Sequence, residues 1–322
     1  MLVENTKEIG GYFELELPDH GGFLHDDGVL LNSGRNALEY VLRSFAVIRH
    51  IWIPYFTCDA VLEPIKKLSL SYSFYHINLR LEIADEIELG KDDYLLYTNY
   101  FGIKDQYTFQ LAERYGAYLI LDNAQAWYAK PIPGINTIYS PRKFVGVPDG
   151  GIAYCRDSID VSLLENDFSF NRCSHLLKRI DLGPQRGYSE FKDNDNGLAG
   201  QPMRRMSRLT KRLLCSIDFN FIKHKRVANY QELNKKLQDF NGLVLPEDSM
   251  FQCPMVYPFL SSDSYSKKRL IENHIFVATY WPNVIKWVSE DCIEREFVSN
   301  LLPLPCDQRY FKDEMNAIQD LL

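Results

Sequence analysis

The sequence has seven cysteines but no CxxC pair, no GxGxxG, and no histidines at metal-ligand spacing. Each absence closes a class of function. The cysteines at 58, 155, 173, 215, 253, 292 and 306 are scattered and odd in number. That argues against a disulfide framework or a zinc site, and no metal is expected. A reducing, cytoplasmic location fits best. No window approaches the roughly 20 apolar residues that a bilayer-crossing helix needs, so no membrane partner is expected. The start, MLVENTKEIGGYFELEL, lacks a basic stretch followed by an apolar run, so no secretory signal is expected. Lys and Arg total 36 against 43 Asp and Glu, a net charge of -7, so a nucleic-acid partner is not expected. Without a GxGxxG after the first strand, nicotinamide chemistry is not expected either. There is no internal repeat and no low-complexity tract.

What is present is an alternation. Residues 37–48 and 58–67 carry apolar residues at helical spacing. IWIPYF from Ile51, SYSFYHI from Ser71 and DYLLYTNYF from Asp93 read as strands. A helix over 107–115 leads into AYLILD (117–122), a buried strand, and GGIAYC (150–155) reads as another. Strand, helix, strand in this order predicts a mostly parallel sheet covered by helices, with ligands beyond the carboxyl ends of the strands. From 160 to 225 the pattern is irregular. NDNGLAG (194–200) is a loop by composition. RRMSRLTKRLLCSI, KHKRVANYQELNKKLQDF and SYSKKRLIENH read as helices, CPMVYPFL and IFVATYW as strands, and DEMNAIQDLL as a closing helix. The division expected is a large domain over 1–219 and a small α+β domain over 220–322.

Four segments carry chemistry. Asn32-Ser33-Gly34-Arg35-Asn36-Ala37 starts a helix, where backbone N–H groups and the helix dipole favour a phosphate and Gly34 permits close approach. Ser33 or Asn32 serving as an ordinary N-cap is the plainer reading. Asp122-Asn123-Ala124-Gln125 follows a buried strand, and a buried carboxylate there needs a cationic partner to stay ionised. In Ser140-Pro141-Arg142-Lys143 the lysine amine can form an imine with an aldehyde cofactor, helped by burial or by Arg142, while Ser140 can donate to a phosphate. Asp149-Gly150-Gly151 is a tight turn into the next strand. In this order the segments supply what pyridoxal phosphate (PLP) needs: a phosphate cradle, an acid opposite the pyridine nitrogen, and a lysine.

These segments resemble the DegT/DnrJ/EryC1/StrS sugar aminotransferases. Ser33-Gly34-Arg35-Asn36-Ala37-Leu38 is similar to the family's SGTAAL, and Ile53-Pro54-Tyr55-Phe56-Thr57 to its VPxxT. Leu121-Asp122-Asn123-Ala124-Gln125-Ala126 resembles EDAAQA, and Pro141-Arg142-Lys143 with Asp149-Gly150-Gly151 resembles PRKN…GEGG. ATYWP (278–282) and LLPLPCDQRYFKDEMNAIQDLL resemble the closing segments. The resemblance implies a PLP-transferase fold of type I: a mostly parallel seven-stranded sheet flanked by helices, plus a small α+β C-terminal domain. It implies Lys143 as the cofactor lysine and proton carrier and Asp122 as the partner of the ring nitrogen. Gln125 would bond the ring oxygen O3′, Gly34, Arg35, Asn36 and Ser140 would hold the phosphate, and Tyr55, Phe56 or Tyr100 would stack on the ring. It also implies a homodimer with shared active sites that moves an amino group, commonly from glutamate, onto a nucleotide-linked keto-sugar for polysaccharide or glycoconjugate synthesis.

Three positions differ. Cys58 stands where the family places its stacking aromatic, Met203 replaces the asparagine that reaches the neighbour's phosphate, and Arg35 replaces a small hydroxyl residue. The expectation is that the Arg35 guanidinium compensates for the missing asparagine. The basic run Arg204, Arg205, Arg208, Lys211, Arg212 is either a seat for a diphosphate or a solvated helix face. A sugar dehydratase or lyase on the same fold, and a ligand-binding member without catalysis, are the alternatives. The dehydratases usually carry His where this chain has Lys143.

Overall fold

The computed structural model describes residues 9–322. Residues 1–8, which begin the stretch read for a secretory signal, lie outside them. The chain enters through β1 (Val29–Leu31), α1 (Gly34–Ser44), β2 (His50–Pro54), α2 (Leu62–Lys67), β3 (Ser71–Tyr75) and β4 (Asp93–Thr98). It continues with α3 (Asp105–Tyr115), β5 (Leu119–Asn123), β6 (Asn136–Tyr139) and β7 (Gly151–Tyr154). These strands form one seven-stranded sheet in the order β1-β7-β6-β5-β4-β2-β3. β3, β2, β4, β5 and β6 run parallel, while β7 is antiparallel to both β6 and β1. Because β7 is reversed, its first residue lies on the edge where the parallel strands end.

The sheet is buried on both faces, which is why β5 reads as an unbroken apolar run. Side chains alternate along a strand. Leu119 and Leu121 accordingly enter one apolar layer, and Ile120 enters the other with Ala37, Tyr40 and Val41 of α1. Asp122 therefore shares its sheet face with Ile120 and α1.

The second half adds α4 (Ser174–Leu182), α5 (Tyr188–Gly197), α6 (Arg208–Cys215), α7 (Phe219–Leu237) and β8 (Tyr257–Leu260). It ends with α8 (Ser266–Glu272), α9 (Ile293–Asn300), β9 (Leu301–Leu304) and α10 (Lys312–Gln319). β8 and β9 pair only with each other, with Pro258 opposite Pro303. One apolar core runs from Tyr97 and Leu121 through Phe144 to Tyr230, Tyr257 and Met315, so the C-terminal part is welded to the sheet.

Two local expectations are corrected. The NDNGLAG stretch is helical as far as Gly197, because Asn194 donates to Pro148 O (2.7 Å) and Asp195 pairs with Arg142 (2.9 Å). Tertiary contacts outweigh its loop-forming composition. IFVATYW forms no strand: the ladder it needs is β8 with β9, and it packs instead through Val277 and Trp281.

Candidate active site

Asp122 is the fourth residue of β5, held in register with Thr98 of β4 and Ile138 of β6. It is 7 % exposed and accepts one backbone bond, from Ala124 N at 2.9 Å. Burial pushes its carboxyl above the usual range. The Lys143 ammonium lies near enough to oppose that shift, and the Ala124 N–H opposes it further. Gln125, fully buried, accepts from Phe101 N (2.9 Å) through Oε1, while its Nε2 has no partner among the described residues. Thr98 Oγ1, in register with Asp122, is also buried and has no partner among the described residues. Orphaned polar atoms are costly in a packed interior and point to a polar ligand.

The start of α1 lies at the same edge and on the same face. Ser33 caps it, Oγ accepting from Asn36 N (3.1 Å) and its carbonyl from Ala37 N (2.9 Å). The N–H groups of Gly34 and Arg35 remain at the open end of the helix. A Cβ on Gly34 would stand 3.5 Å from Ser140 Cβ and 3.8 Å from Ser140 Oγ, so the serine after β6 borders the helix start. Gly151 permits the closest approach: a Cβ there would meet Ser33 O at 2.0 Å and Gly34 N at 2.7 Å. The Gly-Gly turn is thus a packing requirement of the cup as well as a turn.

Lys143 closes the 3-10 turn Pro141–Lys143 that follows β6. It is exposed, and Arg142 turns away to Asp195, so neither burial nor Arg142, the two aids expected for it, is supplied. Its charge nevertheless reaches two neighbours, Asp122 and Cys58. Burial raises the Cys58 thiol, and Lys143 and Arg35 both oppose that shift. Tyr280, in the ATYWP segment, is pushed up to about 12 by burial and by the nearby Cys58. The site therefore gathers Asp122, Lys143, Arg35, Cys58 and Tyr280. No sequence signal separated Tyr280 from its aromatic neighbours.

Other expected residues are placed differently. Asn36 donates to Asn32 Oδ1 (2.7 Å) and Pro202 O (3.0 Å), so its amide fastens the segment around Pro202 to the helix start. Arg35 Nε lies 3.1 Å from Glu63 Oε2, and Glu63 also accepts from Gly200 N (2.8 Å). The ring of Tyr55 stacks on Phe74 (4.7 Å) and packs against His76 (4.6 Å). Phe56 and Tyr100 are fully buried, and the Tyr100 hydroxyl donates to Phe56 O (2.8 Å).

The basic run is largely neutralised: Arg212 pairs with Asp19 (2.9 Å), Arg204 with Glu165 (3.5 Å) and Asp167 (3.6 Å), and Arg208 with Glu14 (4.0 Å). His76, Cys292 and Glu294 bring possible ligand atoms within 4.8 Å of one another. The Glu294 carboxylate is already taken, however, by Ile77 N (2.9 Å) and His76 Nδ1 (3.1 Å).

No protein-family model matches the chain. No curated protein matches it either. Solved structures do. A DegT DnrJ EryC1 StrS aminotransferase from Brucella abortus is 16% identical, with a TM-score of 0.61 over 91% of this chain and 84% of that one. NtdA from Bacillus subtilis with bound cofactor PMP is 14% identical, with a TM-score of 0.61 over 91% and 73%. DesI in the presence of its TDP-sugar product is 11% identical, with a TM-score of 0.62 over 91% and 79%. At these identities the likeness establishes the fold: the chain shares the sheet and flanking helices of these structures.

Proposed function

We propose that the chain is a PLP-dependent aminotransferase that transfers an amino group, with glutamate as donor, to a nucleotide-linked keto-sugar. The observation that carries this reading is Asp122: a buried carboxylate short of partners, under the influence of the Lys143 amine, on the face and edge where α1 begins. The residues fit the cofactor. Asp122 would sit opposite the ring nitrogen, the unpartnered Gln125 Nε2 would serve the ring oxygen, and Gly34, Arg35 and Ser140 would receive the phosphate. Asn36 supports that cup by holding its wall. With Tyr55 given to Phe74 and His76, the ring face beside β2 is left to Cys58.

Pyridoxal phosphate, when bound, supplies an aldehyde and a cationic ring that withdraws electrons. The protein does the rest. Asp122, as a carboxylate, keeps the ring nitrogen protonated, and the low-dielectric setting strengthens that pairing. The Lys143 Nζ would hold the cofactor and, once freed by the substrate amine, would move the proton at the substrate carbon. The fold neighbours that hold PMP and a TDP-sugar product support the choice of cofactor and substrate class.

A second copy of the chain is part of this reading. Tyr12 (99 %), Phe13 (91 %), Leu163 (90 %) and Ile180 (81 %) are large apolar side chains that a partner subunit would cover. All seven cysteines are free, which suits a reducing cytoplasm; the reading includes a role in polysaccharide or glycoconjugate synthesis there.

The test is optical. Protein mixed with PLP should turn yellow, and borohydride should fix the label on Lys143. Lys143→Ala should abolish the fixed label. In parent protein not treated with borohydride, glutamate should bleach the colour, and a panel of keto-sugar nucleotides should restore it. A protein that stays colourless with PLP removes the proposal.

A further inference from the structure

The turn that carries Lys143 does not hold its own position. Its outgoing residue, Phe144, is gripped from the C-terminal part of the chain. Two donors converge on the Phe144 carbonyl: Arg226 Nη2 at 3.0 Å and Gln308 Nε2 at 3.0 Å. The Arg226 guanidinium also lies over the Phe144 ring, 4.7 Å from its centroid. Arg226 comes from α7, Gln308 from the segment after β9, and Arg226 Nε donates to Gln308 Oε1 at 3.1 Å. Residue 144 is thereby fixed by ring and carbonyl together.

The same guanidinium reaches the other side of the site. Arg226 Nη1 donates to Met255 O at 2.7 Å, Met255 N donates to Phe101 O at 2.7 Å, and Phe101 N donates to Gln125 Oε1 at 2.9 Å. Gln125 lies three residues beyond Asp122. One side chain, 3 % exposed, therefore links the lysine turn to the loop that follows the acid. Its hydrogen-bond acceptors are neutral oxygens: three backbone carbonyls (Phe144, Met255 and, at 3.4 Å, Pro254) and the Gln308 amide. A planar fork with fixed donor directions can satisfy four such acceptors at once, and a lysine cannot.

We infer that Arg226, with Gln308, is a positioning device that sets the distance between the Lys143 amine and the Asp122–Gln125 loop, so that the lysine meets a carbonyl carbon held by that loop. The inference rests on the proposed function. Bond formation is sensitive to such placement: a shift of about 1 Å can cost roughly a hundredfold. Arg226 touches neither acid nor amine and acts only through Phe144 and the chain of bonds to Gln125.

The experiment separates holding from bonding. Pyridoxamine phosphate lacks the aldehyde, so its affinity reports the pocket alone. Borohydride-fixed PLP on Lys143, read by mass spectrometry, reports the covalent step. Arg226→Lys keeps the charge and loses the fork, and Gln308→Met removes one donor to Phe144. In both variants the fixed fraction at limiting PLP should fall about tenfold. Pyridoxamine phosphate affinity should stay within about twofold of the parent. A purely structural role would lower the urea midpoint and both ligand readings in step, and that result overturns the inference. So does an unchanged fixed fraction. Should Arg226→Lys fail to fold, Gln308→Met carries the same comparison. A parent protein that fixes no PLP on Lys143 overturns the functional reading first and this inference with it, whereas a parent that labels normally beside variants that match it overturns this inference alone.

Discussion

Asp122 and Asp149 are both buried carboxylates at one edge of one sheet, and burial pushes both above the usual carboxylate range. Their surroundings differ. Asp149, just before β7, accepts from Ser169 Oγ (2.5 Å) and from Thr210 Oγ1, and it pairs with Arg172 Nη2 at 3.0 Å. Asp122 has one backbone N–H and the influence of an exposed lysine. The cost of desolvation is offset inside the protein for Asp149 and left open for Asp122. Asp149 thus ties two distant segments, 169–172 and the start of α6, to the glycine turn behind the helix start. Asp122 is under-compensated in the way that sites awaiting a charged ligand are.

Exchanging each acid for its amide is the direct way to break this contrast. Asp122→Asn should lower aminotransferase turnover about 10³-fold, because the ring nitrogen loses its carboxylate. Its urea midpoint should hold or rise, since a poorly compensated buried charge is removed. A folded Asp122→Asn with parent turnover would strip Asp122 of its assigned role.

Asp149 should respond in the opposite sense. Asp149→Ala leaves Arg172, Ser169 and Thr210 facing an unfilled space and should lose about 3–5 kcal/mol of stability in urea unfolding. In the fraction that remains folded, pyridoxamine phosphate should still bind, because the Asp149 carboxylate is given to Ser169, Thr210 and Arg172, none of which is assigned to the cofactor. If Asp149→Ala matches the parent in urea while Asp122→Asn unfolds, the two acids have been assigned the wrong way round.

The sequence disclosed one of these acids and hid the other for a physical reason. AYLILD announces its aspartate because a strand buried on both faces is a continuous apolar run, and the first charge after it marks the carboxyl end. Asp149 shows only as a turn residue beside two glycines. Its partners lie 20 (Ser169), 23 (Arg172) and 61 (Thr210) positions later, and no local pattern links them. β1, at three residues, and β6, Asn136–Tyr139, are too short and too mixed to show a period, and pairing with β7 makes them strands. The same limit hid Arg226, which meets Phe144 across 82 positions, and it left the basic run open, since Asp19 and Glu14 approach it only in three dimensions. The helix start and the acid could be picked out because each adjoins an element with a clear apolar pattern, whereas Ser140 and Lys143 follow the unreadable β6 and stood out only through the resemblance of Pro141-Arg142-Lys143 to a family motif.

The smallest effect sharpens the comparison most finely. A carboxyl whose folded pKa is raised binds more protons in the folded state than in the unfolded one, from the ordinary value of about 3.9 up to the raised value. Stability therefore falls as pH climbs through that window, and it is recovered below it, by at most about 1.4 kcal/mol per pH unit for one proton. Both acids contribute this slope in the unliganded protein. Urea midpoints measured from pH 4 upward should fall less steeply in Asp122→Asn than in the parent, the difference being the share of Asp122. Saturating pyridoxamine phosphate should erase that difference, because a cationic ring nitrogen stabilises the ionised carboxylate that burial had disfavoured, while the share of Asp149 persists. Parallel pH profiles of the parent and Asp122→Asn in the absence of ligand would mean that burial leaves no raised carboxyl at the end of β5, and the under-compensation that sets Asp122 apart from Asp149 would be lost.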